Sequence, residues 1–391
     1  MKKRILFECR SVAGVRKAWE TYGYEVYESE TELAKQPKEK IEGILEEYQK
    51  SYGISYVFSF DFFPVIADCC NQLGLGYVSW ILDCPHIMLW SESAEYINNY
   101  IFVFDYHQYE MLLRRGLNNV YYLPLCADID NFDLTIRSDA GKGKEQYGCD
   151  VSFVANLYND SEHNLYDQIT FLPQYERGYL DALMKIQRKI WGADFLLEAV
   201  NGNINGNLKK YVNFGTDKGY AEGAFEVMFA NILGQKIAQL ERIEVCSYLA
   251  RNFDFSLYTG SDTSFDTKIR NCGHADYVKE MPLIFHYSKI NIHITLRSIT
   301  SGMSLRVLDV LACGGFLLTN YQPEIAEYFS DGEELVMYHS FEDMYEKINY
   351  YLKHEEERKK IALAGYRKVK EQFNYIKGFG EIVKVLEACN E

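Results

Sequence analysis

Short apolar runs and longer stretches of helical periodicity alternate along the first 130 residues. The runs Arg4–Glu8, Tyr24–Glu28, Ile54–Phe60, Tyr77–Asp83, Tyr100–Asp105 and Val120–Cys126 predict strands. Between them lie helical segments, the clearest carrying Ile41, Ile44, Leu45 and Tyr48 at i, i+3, i+4, i+7 spacing. Strands with intervening helices predict a parallel, doubly wound α/β sheet. No Gly-x-Gly-x-x-Gly follows the first strand, which argues against a dinucleotide-binding dehydrogenase.

Residues 133–149, with Ser138-Asp-Ala-Gly-Lys-Gly-Lys-Glu, are the most linker-like stretch. Beyond it the alternation resumes. Strands are expected at Val151–Ala155, Phe255–Gly260, Met281–Ser288, Ile290–Thr295, Phe316–Asn320 and Leu335–His339, with a helix after Phe341. Residues from about 160 to 250 read as a mostly helical insertion. The expected architecture is two doubly wound, Rossmann-like lobes, 1–135 and 150–374, facing a cleft onto which strand C-termini open.

Composition narrows the function. The chain has 391 residues, enough for two domains, and is 48% hydrophobic and 15% aromatic, which excludes disorder. Its net charge is −15, from 41 basic and 56 acidic residues, so no general affinity for nucleic acid or anionic lipid is expected. Glu8 and Arg10 break the first apolar stretch, and no run approaches the roughly 18 apolar residues of a spanning helix, so a cytoplasmic protein without an integral membrane segment is expected. The 10 cysteines are scattered without a Cys-x-x-Cys, which predicts reduced thiols and no structural zinc.

The chemistry concentrates in residues 290–322. After the strand Ile290–Thr295 comes a polar loop, Ser301-Gly302-Met303, and Ser304 can cap a helix from about Leu305 to Cys313 that Gly314-Gly315 ends. A loop at a helix N-terminus is a ready anion site. Arg306 falls in the first turn, where the helix dipole disfavours a cation by roughly 0.3–1 kcal/mol. A bound anion would complete such a site. Asp309 lies one turn on, on the same face, where a carboxylate can accept hydrogen bonds from ribose hydroxyls. The plain alternative is an i,i+3 surface pair worth about 0.2–0.5 kcal/mol.

The stretch from Ser304 to Gln322, then Phe329-Ser-Asp-Gly-Glu-Glu-Leu-Val and Tyr351-Leu-Lys-His-Glu-Glu-Glu-Arg, resembles the C-terminal half of the spore-maturation-protein-like (CgeB-type) glycosyltransferases of the broad GT-B group. Ser79-Trp-Ile-Leu-Asp-Cys-Pro-His and Tyr122-Leu-Pro-Leu-Cys-Ala-Asp resemble the domain that accompanies it. The likeness implies a GT-B-like fold, a donor lobe at the C-terminus, and a last helix, about 375–391, that packs back on the first lobe. Many members of the wider group carry two glutamates flanking the donor loop. Here those positions are Ser301 and Asp309, so a ribose contact survives as a shorter carboxylate and a donor-sugar contact shrinks to a hydroxyl. The resemblance also places His274 and Tyr277 at the nucleobase.

Around this core stand further candidates. Asp83 and His86, in Asp83-Cys-Pro-His86, follow a predicted strand and are the expected catalytic pair that takes the acceptor proton, with Asp61 in reserve. A rigid turn capped by Asp83 is the plain alternative. Arg297, two residues past the strand, could meet the diphosphate or bridge a nearby acid, and Tyr258 and Gly260 could line the nucleotide. Asp128-x-Asp130 has the spacing of a metal-chelating motif, but a structural cap is the stronger reading. The expectation is a metal-independent transferase with no cofactor, the nucleotide-sugar being a substrate. Arg306, Arg297 and the helix N-terminus would stabilise the leaving diphosphate. The acceptor, whether glycan, protein or small molecule, is open. Two other readings stand: a nucleotide-sugar epimerase of the same fold, and a non-catalytic sugar-binding or surface-assembly protein.

Overall fold

Six strands in the first third of the chain pair side by side, all parallel: β1 (Lys3–Phe7), β2 (Tyr24–Glu28), β3 (Tyr56–Phe60), β4 (Gly76–Trp80), β5 (Asn99–Val103) and β6 (Val120–Tyr122), in the order β2-β1-β3-β4-β5-β6. The computed structural model describes residues 3–9, 13–201, 205–216 and 218–389; Arg10 and both chain ends lie outside them. Contacts divide the chain into two units, Met1–Cys126 with Gly215–Phe225 and Phe373–Glu391, and Ala127–Phe214 with Glu226–Gln372.

In the first unit the strands are mostly buried, as a sheet covered by helices on both faces requires. The last helix, Tyr375–Ala388, lies in this unit and packs against the helix Ala13–Thr21. Gly378 lets the same last helix approach Trp80, at the end of β4, and Cys126. A Cβ there would sit 2.6 Å from the Trp80 ring and 2.8 Å from Cys126 Sγ. Strand β4 ends earlier than the apolar run suggests. The Asp61 carboxylate takes the Leu82 and Asp83 amides, at 2.8 and 3.3 Å, so the chain leaves the sheet at that point.

The second unit carries β7 (Val151–Val154), β8 (Phe255–Tyr258), β9 (Ile290–His293), β10 (Leu317–Asn320) and β11 (Val336–Tyr338), in the order β11-β10-β9-β7-β8, again all parallel. Connections leave β7 and β9 in opposite directions, so the topological switch point falls between these two strands. Its core gathers Val151, Phe153, Leu257, Ile292, Leu318 and Val336 from the strands with Val245 and Leu249 from the helix Ala224–Asn252.

Two expectations are corrected here. Met281–Ser288 is not a strand: Met281–Tyr287 is a helix with Pro282 in its first turn. Proline lacks the N–H a central strand needs but fits a helix start, and an apolar run alone does not separate the two. Residues 133–149 are not a linker either. They hold the helices Ile129–Asp139 and Gly143–Tyr147, docked within the unit where Asp139 Oδ2 accepts from Tyr287 Oη at 2.7 Å. Among the described residues no helix is long and apolar enough to cross a membrane.

Candidate functional site

The carboxyl ends of β7 and β8 open into a pocket of about 540 Å³ in the second unit, within the usual range of ligand sites. Asn156, His163, Tyr258, Gly260, His274 and Arg306 line it, so four of the expected donor residues meet there. Asn156 ties its walls together: Asn156 Oδ1 accepts from the Tyr158 amide at 2.6 Å and from Ser261 Oγ at 3.2 Å.

Arg306 stands in the first turn of the helix Leu305–Ala312, whose start is set by Ser304 in extended conformation (φ −65°, ψ 152°). The helix ends where Gly314 adopts φ +68°, and a Cβ on Gly315 would lie 2.7 Å from the Phe285 carbonyl oxygen. Ser304 occupies the cap position, but its hydroxyl does not cap. It bonds His293 Nε2 at 2.8 Å, and the first amides of the helix receive no side-chain cap. His293, at the end of β9, is buried. Burial first, then the charges of Arg242 and Arg306, push its pKa well below the usual histidine value, so the ring is neutral.

Asp309 sits behind Arg306. Its Oδ2 accepts from Arg306 Nη1 at 3.1 Å and its Oδ1 from Tyr277 Oη at 2.8 Å, with 1% of the residue exposed. Burial raises its pKa to about 6, and the Arg306 charge and the Tyr277 hydrogen bond only partly offset this. The expected ribose contact therefore does not fit this geometry. An aspartate is one methylene shorter than a glutamate and stays against its own helix, so the carboxylate anchors Arg306. Tyr277, edge-on to Phe132 at 5.6 Å, belongs to the same anchor, whereas His274 is exposed on the pocket wall.

Arg297 is also corrected. Its Nη2 bonds Glu241 Oε1 at 2.6 Å, its Nη1 the Ile190 carbonyl at 2.6 Å, and its guanidinium stacks on Trp191. Arg297 and Glu241 are 6% and 0% exposed. The first-lying acid reaches it before any ligand could, because the long helix Ala224–Asn252 passes beside the end of β9. Ser301 Oγ donates to Glu324 Oε1 at 2.7 Å; Gly302 and Met303 are buried.

Sequence reasoning missed His293, Arg242 and Glu324. Arg242 Nη2 donates to the Ile294 carbonyl at 2.7 Å, which fixes the strand end beside His293. A histidine closing a buried, isoleucine-bearing strand was the visible signal for the first; the other two approach from distant elements.

In the first unit Asp83, His86 and Asp61 come together at the ends of β3 and β4. Their ligand-type atoms lie within 4.8 Å of one another. His86 Nε2 stands 2.9 Å from the Phe62 carbonyl and its Nδ1 4.0 Å from Asp61 Oδ1. Asp61 has φ +57°, a left-handed conformation that costs an aspartate little. Crowding by protein atoms, then the Asp61 charge, raise the Asp83 pKa although the side chain remains exposed. Asp160, Glu162 and His163 form the other such trio among the described residues. There the Asp160 carboxylate is already satisfied by His163 Nδ1 at 2.8 Å and by the Glu162 and His163 amides. Asp128 starts the helix Ile129–Asp139 and bonds Asn131, while Asp130 is exposed.

Residues 240–383 match the family model described as glycosyl transferase-like. Solved structures similar over the whole chain include sucrose-phosphate synthase of Thermosynechococcus elongatus, at 11% identity and TM-score 0.53, covering 100% of both chains. HepE of Anabaena in complex with UDP-glucose has 9% identity and TM-score 0.52, covering 99% of each. A glycosyltransferase of Rickettsia africae has 11% identity and TM-score 0.50, covering 98% of this chain and 97% of that one. At such identities the likeness shows the fold, which is GT-B. The search of curated proteins returns no match.

Proposed function

We propose that the protein is a glycosyltransferase that moves a sugar from a nucleoside-diphosphate donor, bound in the second unit, to an acceptor served by the first. One observation carries this reading. A cation, Arg306, in the first turn of a helix whose capping hydroxyl is turned elsewhere, lines a ligand-sized pocket and is anchored from behind by a buried carboxylate. Cation, helix dipole and uncapped amides together match a diphosphate.

Transfer leaves negative charge on the departing diphosphate, and Arg306 with the helix N-terminus would stabilise it without a metal. Tyr258, Gly260 and His274 would hold the nucleoside. Asp83, whose pKa is raised by desolvation and by the Asp61 charge, or His86 beside it, would take the acceptor proton. The bound UDP-glucose of the Anabaena protein and the CgeB-like motifs support a nucleotide-sugar donor.

The test is incubation with UDP-, GDP-, ADP-, dTDP- and CMP-sugars in EDTA, with products resolved by mass. Nucleotide release that rises with an added acceptor supports the transferase. An isomerised sugar from donor alone assigns an epimerase, and binding without any release assigns a sugar-binding protein.

A further inference from the structure

We propose that His293 is a positioning residue for the donor phosphates: its Nε2–H donates to Ser304 Oγ, so that the Ser304 hydroxyl proton and the first amides of the helix Leu305–Ala312 face a phosphate oxygen. This rests on the nucleotide-donor reading above and adds two residues with a defined division of labour.

A serine at a helix N-cap ordinarily accepts from an amide of the first turn. Ser304 has the cap backbone but gives up that bond, and its oxygen lies 2.8 Å from His293 Nε2 instead. His293 is 6% exposed and fixed at the end of β9, where Thr319 pairs with it and Tyr338 Oη donates to its carbonyl at 3.0 Å. The histidine therefore holds the hydroxyl; the Val307 amide turns to the Ser304 carbonyl at 3.1 Å, and the Leu305 and Arg306 amides ahead of it receive no side-chain cap.

A neutral imidazole donates from one nitrogen and accepts at the other. If Nε2 accepted, the Ser304 proton would be consumed and its lone pairs would face the ligand. An anion at the helix start selects the opposite tautomer, in which Nε2 donates and the hydroxyl passes its own proton forward. The neutral ring, kept so by burial and by the guanidiniums of Arg242 and Arg306, can make this exchange without a change in charge. No proton leaves the site.

The experiment compares affinities for the tightest-binding nucleoside diphosphate and for its parent nucleoside, by calorimetry, in wild type, Ser304→Ala, His293→Leu and the double variant. Loss of one hydrogen bond to a charged group should weaken diphosphate binding roughly tenfold or more. Nucleoside binding should hold, and the double variant should fall no further than the worse single one. His293→Gln, which keeps an N–H to donate, and Ser304→Thr, which keeps the hydroxyl, should retain most of the affinity and serve if His293→Leu does not fold. Equal losses for nucleoside and diphosphate, or additive single effects, would overturn the proposal while leaving the donor assignment intact. Failure of the wild type to bind any nucleoside diphosphate would overturn both.

Discussion

The Asp309 carboxylate, closed off from solvent, holds Arg306 at 3.1 Å from one turn deeper in the same helix. The guanidinium end remains partly open, with 24% of the Arg306 side chain exposed, so anchor and working group are separated by burial. A buried acid with a raised pKa is held at the expense of stability.

The sign of that expense is fixed by linkage. The folded pKa of about 6 lies above the ordinary aspartate value of 3.8, so the folded state binds more protons between these limits. Stability therefore falls as pH rises from about 4 to about 6. Asp309→Asn, which mimics the protonated form, should stabilise the protein by roughly 2–3 kcal/mol at pH 8 and by almost nothing at pH 4. Urea unfolding at the two pH values checks this, and a pH-independent difference would contradict it.

The buried ion pair of Arg297 with Glu241 makes a different prediction. Removing one partner leaves a charge without compensation, so Glu241→Ala should cost about 3–5 kcal/mol in chemical denaturation. Replacing both together with leucine and methionine should recover most of the loss. Donor affinity of the folded double variant should match the wild type, because the guanidinium is spent on Glu241, Ile190 and Arg188.

Asp83→Asn and His86→Ala should lower kcat by roughly 100-fold or more for whichever is the base, with donor KM unchanged within about twofold. Steady-state kinetics with a fixed acceptor measures this. A rise in donor KM with kcat intact would move both residues out of the chemistry.

At Gly378, substitution by valine would force a side chain into Trp80 and Cys126. A loss of about 1–3 kcal/mol is expected, read as a lowered urea midpoint with the second unit's ligand binding preserved.

How far the sequence disclosed this molecule depended on the range of the interactions. All eleven strands of the two sheets were legible because their apolar runs are mostly buried and bounded by turn residues. Met281–Tyr287 was misread because its run is as apolar as a strand, and only Pro282 pointed to a helix start. The helix Leu305–Ala312, its Gly314 end and the placement of Arg306 follow from local capping rules and were readable. What Arg297 would meet was not, since Glu241 lies 56 residues away on another element. The same holds for Glu324 at Ser301, and for Tyr277 at Asp309 across 32 residues.

The most direct test of the account is calorimetric titration of the preferred nucleoside diphosphate into wild type, Arg306→Lys and Arg306→Ala, in EDTA. Removal of a cation paired with phosphate should cost Arg306→Ala at least tenfold in affinity, with Arg306→Lys between the two. Equal affinity in all three proteins would contradict the assignment of this pocket to the donor.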